Sequence, residues 1–296
     1  MVFRVSYTLI IISLIALQVV LLSCRRHEVV EENPSSGVTQ TEPIRSDAML
    51  PFGNPSKSTA GDDADNYLVV HRSHVLSYNN SRGTLNWVAW RTRRTDLGER
   101  RERPDFEADK SLPRNFKRAR YYDYSGSGYQ RGHMLPSADR FADAELNGET
   151  FLMTNIVPQE GDLNEFPWER LESHARSLVY RGGETYTIAG VYGDRGKLKD
   201  KVTVPTNCWK VIVVFTRGQS ADAINTRTQI IAVDMPNIDG IDDEPWQKFI
   251  TSIDAIEVST GLDLFDLLPD DVENAIEARL TKPSSNDKTS TQKGAY

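Results

Sequence analysis

The order of strand-like and helix-like segments is the sequence feature that most limits how this chain can fold. Six runs are rich in β-branched and aromatic residues, and turn-forming residues bound them. These runs are Tyr67–His71, Val75–Tyr78, Leu85–Thr92, Thr185–Gly190, Cys208–Thr216 and Thr228–Asp234. Helix-like segments are Ala138–Asn147, Trp168–Arg181, Pro245–Phe249 with its continuation, and Pro269–Leu280. Because strands and helices do not alternate regularly, we expect an α+β fold with a mainly antiparallel central sheet flanked by helices.

The first 24 residues have the pattern of an export signal. One positive charge at Arg4 precedes the apolar stretch Tyr7–Leu22, which is short for a membrane span. The stretch ends Leu-Leu-Ser-Cys and resembles the lipid-attachment box of bacterial lipoproteins, which makes Cys24 a candidate lipid anchor. Ordinary signal cleavage nearby is the alternative. In either case we expect an exported protein that is secreted, periplasmic or held on the outer surface.

The rest of the chain divides into a linker, a folded region and a tail. Residues 25–62 are polar and rich in Pro, Ser, Gly and acids, which predicts a flexible linker. Residues 63–282 form the predicted domain, and residues 283–296 have the composition of a disordered tail. Cys208 lies in an apolar run and is expected to be a buried thiol. A bridge between Cys24 and Cys208 is the alternative in an oxidising compartment.

Charge is distributed unevenly along the chain. The formal net charge is −7, yet residues Arg91 to Arg131 contain 12 basic side chains against 7 acidic ones. A basic region on an acidic body suits a polyanionic substrate that must be bound and then released. A solvated, charged surface without a ligand would give the same count.

A glycine-flanked segment contains the first candidate for chemistry. From Ser125 the chain reads Ser-Gly-Ser-Gly-Tyr-Gln-Arg-Gly-His, and its glycines allow the backbone around Arg131 and His133 to approach a ligand closely. Histidine is the side chain best suited to accept a proton near neutral pH. A single histidine in such a loop is nevertheless more often structural.

A second segment supplies oxygen donors. Asn164 comes just before a predicted helix, and Glu172 lies one to two turns into it. Since a helix rises about 1.5 Å per residue, both side chains can approach one cation from the same side of the helix start. Mg²⁺ takes oxygen ligands and keeps several of its waters. Helix capping for Asn164 and a solvated helix face for Glu172 are the structural alternatives.

Taken together, these segments resemble the DNA/RNA non-specific endonuclease family. These are ββα-metal (His-Me finger) nucleases, which include secreted bacterial sugar-non-specific nucleases and mitochondrial endonuclease G. The family signature is Asp-Arg-Gly-His followed by an Asn-rich segment that ends in Leu-Glu. The matching stretches here are Gln130-Arg131-Gly132-His133, Thr154-Asn155, Asn164, Leu171-Glu172 and, upstream, Asn86-Trp87-Val88-Ala89-Trp90 and Arg103-Pro104-Asp105-Phe106. The resemblance extends from about Asp65 to about Phe265.

The resemblance implies an endonuclease that hydrolyses the phosphodiester bonds of DNA and RNA and leaves 5′-phosphates. His133 would remove a proton from the attacking water, and Arg103 and Arg131 would hold the scissile phosphate. Asn155 would help to order the site. Because these contacts address phosphates and not base edges, little sequence preference is expected.

The resemblance also implies a cofactor, Mg²⁺, for which Mn²⁺ is a possible substitute. Asn164 would be the direct protein ligand of the cation, and Glu172 would hold the waters around it. A zinc site is disfavoured, because the five histidines and two cysteines show no recognised ligand spacing.

Gln130 departs from the family signature, which has Asp at this position. Glutamine keeps an acceptor oxygen but loses the negative charge, so activity is expected to survive at a reduced level. One alternative is a catalytically impaired nucleic-acid-binding lipoprotein on the same fold. Another is a hydrolase for a different phosphodiester. DNA and RNA are the expected partners, and the sequence indicates no stable protein partner.

Overall fold

A six-stranded antiparallel sheet forms the centre of the fold. The protein is described here by a computed structural model, in which residues 48–100 and 102–280 are placed. The strands in this part of the chain are β1 (Tyr67–Val70), β2 (Val75–Asn79), β3 (Thr84–Thr92), β4 (Gln130–His133), β5 (Ile156–Gln159), β6 (Glu184–Tyr192), β7 (Lys197–Leu198), β8 (Val202–Thr203), β9 (Asn207–Phe215) and β10 (Gln229–Pro236). The central sheet has the order β1-β2-β3-β6-β9-β10 and is antiparallel throughout. The predicted α+β architecture is confirmed, and each predicted run forms one of these six strands.

Two further strands form a separate two-stranded ladder. Strands β4 and β5 are antiparallel, with Gln130 opposite Gln159 and His133 opposite Ile156. The glycine-rich sequence around His133 predicts a loop. It is a strand despite its composition, because the backbone groups of Gln-Arg-Gly-His pair with an apolar partner strand that is itself fully buried.

The helices differ from the prediction mainly at their ends. They are α1 (Ala144–Glu149), α2 (Gly161–Leu163), α3 (Glu169–Tyr180), α4 (Ile253–Thr260) and α5 (Asp270–Glu277), and a π-helical segment (Asn164–Trp168) joins α2 to α3. The helix predicted for Pro245–Phe249 and its continuation is a 3₁₀ turn (Trp246–Phe249) followed by α4, and the single helix predicted for Ala138–Asn147 is likewise two pieces, a 3₁₀ turn (Ser137–Arg140) and α1. The break occurs because the Asp143 carboxylate accepts hydrogen bonds from two backbone N–H groups and so begins a new helix.

One face of the central sheet is covered by the β4–β5 ladder and the helical run after it. On this face Trp90 and Ile212 of the sheet belong to the same buried core as Leu135, Trp168 and Leu171. Both faces of the sheet are covered, so strands such as β9 are buried on both sides and show no alternation of exposed and buried residues.

The opposite face is covered by the two C-terminal helices and an N-terminal segment. Trp87 and Val211 belong to a second core together with Phe52, Ile256 and Phe265. Phe52 is only 2% exposed, and burying an aromatic side chain of this size contributes about 1.5–3 kcal/mol. The folded part therefore begins before residue 63, where the sequence analysis placed its boundary. An apolar run as short as Met49–Phe52 gives no periodic signal by which sequence reasoning could find it.

The predicted export signal, Cys24 and the predicted tail from residue 283 lie outside the described residues. Among the residues that are described, no helix has both the length and the apolar character needed to cross a bilayer. Cys208 is a fully buried free thiol in β9, as predicted.

Candidate active site

The candidate site is built on strands β4 and β5 and the helical run that follows them. Gly132 lies so close to β5 that a Cβ atom there would be 1.7 Å from Oε1 of Gln159, so only glycine fits between the arginine and the histidine. The indole N–H of Trp168 donates to the backbone oxygen of His133 at 3.3 Å. The strand that carries His133 is thereby fixed to the helical run.

The His133 imidazole lies against two aromatic rings. The Phe151 ring meets it edge-on at 4.7 Å between centroids, and the Phe106 ring lies 5.5 Å away. The side chain is half-buried overall, but its Nε2 is shielded from solvent and has no hydrogen-bond partner among the described residues. Burial and, second, the nearby Arg103 cation lower the pKa of His133 from 6.5 to about 3. The imidazole is therefore neutral at pH 7, and one of its two ring nitrogens can accept a proton.

Both predicted arginines and the His133 ring lie beside the Phe106 ring. The Arg103 guanidinium carbon lies 5.0 Å from the centre of the Phe106 ring, and that of Arg131 lies 5.7 Å from it. The Arg131 guanidinium also donates through Nε and Nη2 to the backbone oxygen of Tyr121, at 3.0 and 2.8 Å. Two cations and a neutral imidazole thus surround one ring, an arrangement able to hold a phosphate beside a proton acceptor.

Asn155 is completely buried, and backbone groups satisfy its side chain. Its Oδ1 accepts from the N–H of Leu135 at 2.9 Å, and its Nδ2 donates to the carbonyls of Leu135 and Thr150 at 2.9 and 2.8 Å. These bonds hold the chain immediately after His133. Asn155 is therefore a positioning residue whose side chain does not face the site, which is compatible with the ordering role expected from the sequence.

Gln130 and Asn164 form a hydrogen-bonded pair whose orientation is fixed by a third residue. The amide nitrogen of Gln130 donates to Glu165, so its Oε1 must point to Asn164, whose Nδ2 donates to it at 2.6 Å. This arrangement leaves Oδ1 of Asn164 as the atom directed away from Gln130. A neutral oxygen presented in this way is a suitable ligand for a hard cation such as Mg²⁺.

The π-helical segment changes the angle about the helix axis between the side chains of Asn164 and Glu172. In a regular helix each residue turns the chain by about 100°, so residues eight apart lie about 80° out of phase. The wide turn takes up one extra residue, so the pair behaves like residues seven apart, which are about 20° from alignment. Pro167 inside the segment cannot donate a backbone hydrogen bond, which favours a wide turn at this point. Asn164 and Glu172 consequently lie on the same side of the helical run.

Glu172 is held by a buried lysine that the sequence analysis did not single out. The Lys210 ammonium donates to the Glu172 carboxylate at 2.8 Å, and the two side chains are only 2% and 10% exposed. The ammonium also lies 4.1 Å from the centre of the Trp168 ring and 5.5 Å from that of Trp90. Burial raises the pKa of Glu172, against the opposing effects of Lys210 and Arg176.

Lys210 had a detectable signal in the sequence. It is the one charged residue in the run Cys-Trp-Lys-Val-Ile-Val-Val-Phe, where a buried ammonium needs a partner. The aromatic pair Phe106 and Phe151 had no such signal, because ordinary core phenylalanines look the same. The six predicted site residues fall into two groups joined by β4 and Trp168: Arg103, Arg131 and His133 in one, Asn164 and Glu172 in the other, with Asn155 behind them.

The chain is similar to known nucleases over most of its length. The sequence profile of the DNA/RNA non-specific endonuclease family matches residues 54–271. A nuclease of Nostoc sp. is 42% identical over 246 residues, which cover 82% of this chain and 89% of the relative. Human mitochondrial endonuclease G is 33% identical over 212 residues, with 66% and 68% covered. A crystal structure of EndoG in complex with EndoGI aligns with a TM-score of 0.64 at 28% identity, covering 77% of this chain and 94% of that one.

Proposed function

Because the chain belongs to the DNA/RNA non-specific endonuclease family, we propose that it is a divalent-metal-dependent endonuclease in which His133 is the general base. The observation that carries the proposal is the neutral His133 imidazole, which lies with Arg103 and Arg131 around the Phe106 ring. A neutral imidazole with a free lone pair can accept the proton of the attacking water. A bound phosphate would offset the Arg103 charge and raise the pKa of His133, so the base gains proton affinity when substrate is present.

Arg103 and Arg131 are proposed to hold the scissile phosphate. In-line attack increases negative charge on the phosphoryl oxygens, and two guanidinium groups can stabilise that charge through paired hydrogen bonds. Arg131 is already oriented by the Tyr121 carbonyl, which reduces the entropy lost on binding. Neither contact involves a base edge, which supports action on both DNA and RNA with little sequence preference.

We assign the binding of a hard divalent cation to Asn164 and Glu172, whose oxygen atoms suit such an ion. Oδ1 of Asn164 is directed away from Gln130, and Glu172 lies on the same side of the helical run with one oxygen engaged by Lys210. A carboxylate already paired with an ammonium is better suited to holding waters around Mg²⁺ than to displacing them. When bound, Mg²⁺ or Mn²⁺ would stabilise negative charge on the leaving oxygen. Cleavage on that side leaves the phosphate on the 5′ end.

Digestion of plasmid DNA and of RNA by the full chain, with Mg²⁺ or with EDTA, tests the proposal. The unmodified protein should degrade both polymers only with metal, and the new ends should accept label from polynucleotide kinase only after phosphatase treatment. His133→Ala should lower the rate by about 10²–10⁴-fold while leaving the melting temperature within a few degrees. If the unmodified protein binds DNA but cuts nothing with any divalent metal, the chain is a binding protein on a nuclease fold.

Export is a further proposal, supported by the apolar stretch Tyr7–Leu22 and the Leu-Leu-Ser-Cys sequence that ends at Cys24. Mass spectrometry of the protein isolated from its native host should show that the first 23 residues are absent. A lipid on Cys24 should add the mass of acyl chains, and Cys24→Ser should release the protein from the membrane fraction. Recovery of the intact N-terminus from the cytoplasm would refute export.

A further inference from the structure

An open groove adjoins the candidate site on the side of Phe106. It has a volume of about 380 Å³, and the residues that matter for its chemistry are Phe106, Lys110, Arg118, Arg120, Tyr121 and Tyr122. We refer to it as the tyrosine groove. Its volume lies within the range of small-ligand pockets, close to its lower end, and is of the size needed for one nucleotide unit.

The groove is continuous with the residues assigned to the scissile phosphate. The Phe106 ring forms part of its wall and also contacts the Arg103 and Arg131 guanidinium groups and the His133 ring. Arg131 is bonded to the backbone oxygen of Tyr121 on the groove wall. A nucleotide next to the scissile phosphate would therefore lie beside the groove.

Two neighbouring tyrosine rings of the groove are exposed to solvent. Tyr121 is 55% exposed and Tyr122 is 47% exposed, and their rings meet edge-on at 5.5 Å between centroids. The Arg120 guanidinium carbon lies 5.9 Å from the centre of the Tyr122 ring. Adjacent exposed aromatic side chains commonly mark binding surfaces, and an aromatic ring beside a cation suits a nucleobase attached to a phosphate.

The remaining charges around the groove favour an anionic ligand. Arg120 and Lys110 are exposed and outnumber the one carboxylate that lines the groove, the exposed Glu107, which lies 3.9 Å from the Lys110 ammonium. Arg118 is not free to bind, since its guanidinium donates to the backbone carbonyls of Asp109 and of residues 112–114. Its role is to hold the loop that forms the groove.

We propose that the tyrosine groove binds a nucleotide flanking the cleaved bond, with its base stacked on Tyr121 or Tyr122, and thereby favours single-stranded substrate. This inference rests on the nuclease function proposed above. A base inside a duplex has neighbours on both faces, and its ring faces are not accessible. An unpaired base can leave its stack and place one face on a tyrosine ring, while Arg120 or Lys110 contacts the adjoining phosphate.

The test compares alanine and phenylalanine variants on matched substrates. Tyr121→Ala with Tyr122→Ala should lower kcat/KM for a single-stranded 20-mer by about tenfold, mainly through KM, and for the same sequence in duplex form by less than threefold. The corresponding double phenylalanine variant keeps the stacking surface and should retain the unmodified rate. Tyr180→Ala is the matched control, since Tyr180 is 53% exposed with Arg94 over its ring at 4.8 Å but belongs to α3.

Binding of a fluorescent single-stranded oligonucleotide in EDTA, read by anisotropy, keeps the test independent of catalysis. Weaker binding by the alanine double variant, with unchanged binding by the phenylalanine and Tyr180 variants, supports the groove. Equal binding by all variants overturns it even if the protein proves to be an active nuclease. Conversely, an unmodified protein that cuts nothing defeats the nuclease proposal, and the anisotropy series still decides whether the groove binds single strands. A protein ligand of the groove would leave every nucleic-acid measurement unchanged, which also overturns the proposal.

Discussion

Gln130 accepts a hydrogen bond from Asn164 as a carboxylate could, but its amide needs a second residue to hold it in the orientation that does so. A carboxylate presents two equivalent acceptors, whereas an amide can be turned the wrong way. Here Glu165 accepts from the Gln130 amide nitrogen and so selects the orientation in which Oε1 accepts from Asn164. Gln130 and Glu165 together can replace the single acid of the family signature, which supports retained activity in this chain.

Replacing Gln130 by alanine should therefore weaken metal binding without unfolding the protein. The Asn164 amide would lose the partner that directs its Oδ1, and loss of such an outer contact typically costs about 10–100-fold in metal affinity. Gln130→Asp keeps an acceptor for Asn164 and should stay within a few-fold of the unmodified protein. Titration with Mn²⁺ followed by electron paramagnetic resonance measures both. Equal affinity for all three proteins would show that Gln130 does not orient Asn164.

The pKa of His133 should respond to Arg103 and not to Arg131. Burial lowers this pKa most, and the Arg103 cation lowers it further, because a positive neighbour disfavours the imidazolium form. Arg103→Met removes that repulsion, so the pKa should rise from about 3 towards 6.5. An NMR titration of the histidine ring protons in the metal-free protein measures the change, and Arg131→Met is the control. A fall in pKa, or an equal rise in the control, would contradict the assignment.

Helices α4 and α5 bring several carboxylates together on the face of the sheet opposite the site. Single oxygens of Asp254, Glu257 and Glu277 lie within 4.8 Å of one another, and Glu277 is only 8% exposed. Burial and then the charges of Glu257, Glu273, Asp254 and Asp263 raise the pKa of Glu277 from 4.5 to about 8. The folded state thus retains a proton on Glu277 that the unfolded chain has already released.

Stability should consequently fall as the pH rises towards 8, and Glu277 should account for part of that fall. Between pH 4.5 and about 8 the folded state binds more protons than the unfolded state, so the free energy of unfolding decreases with increasing pH. Glu277→Gln removes this dependence and should raise the melting temperature at pH 8.5 more than at pH 5.5. Asp271→Asn, on the exposed side of the same helix, should not show this difference. Equal shifts at both pH values would refute the raised pKa.

The elements that sequence could predict are those whose pattern reflects their own burial. The six sheet strands were predicted because runs such as β9 are almost continuously apolar and rich in β-branched residues. Strand β4 was not predicted, because its arginine, glycine and histidine are not residues that favour a pleated strand. The π-helical turn was equally hidden, although it decides how Asn164 and Glu172 lie relative to each other. Resemblance to a family identified the candidate residues, but the contacts of Gln130 and Lys210 required coordinates.

At the scale of the whole molecule, part of the basic surplus is already engaged within the protein. Of the 12 basic residues between Arg91 and Arg131, Arg91 pairs with Glu184, Arg93 with Asp96, and Arg118 with backbone carbonyls. Beside the site and the tyrosine groove, Arg103, Lys110 and Arg120 are exposed and can contact phosphates together with Arg131. The acidic remainder of the chain further reduces non-specific attraction to nucleic acid.

Single-stranded DNA should therefore bind with only a modest dependence on salt. Each phosphate contact contributes a slope of about −0.7 in a plot of log affinity against log salt concentration, so about four contacts give roughly −3. Arg120→Gln should reduce the slope by about 0.7. Anisotropy titrations in EDTA between low and moderate salt measure both values. A slope steeper than about −6 would mean that many more cations contact the strand than the four beside the site and the groove.

The separation of the two sheet faces has a practical consequence for attaching the protein to a surface. Val258 on α4 is 88% exposed and belongs to the layer opposite the candidate site. The native thiol of Cys208 is fully buried, and burial raises its pKa to about 12, so it should not compete for thiol reagents. A chain with Cys24→Ser and Val258→Cys would carry a single reactive handle. If the protein is coupled to a bead or electrode through this thiol, every molecule is attached on the α4 face of the sheet. The candidate site on the opposite face then points towards the solution.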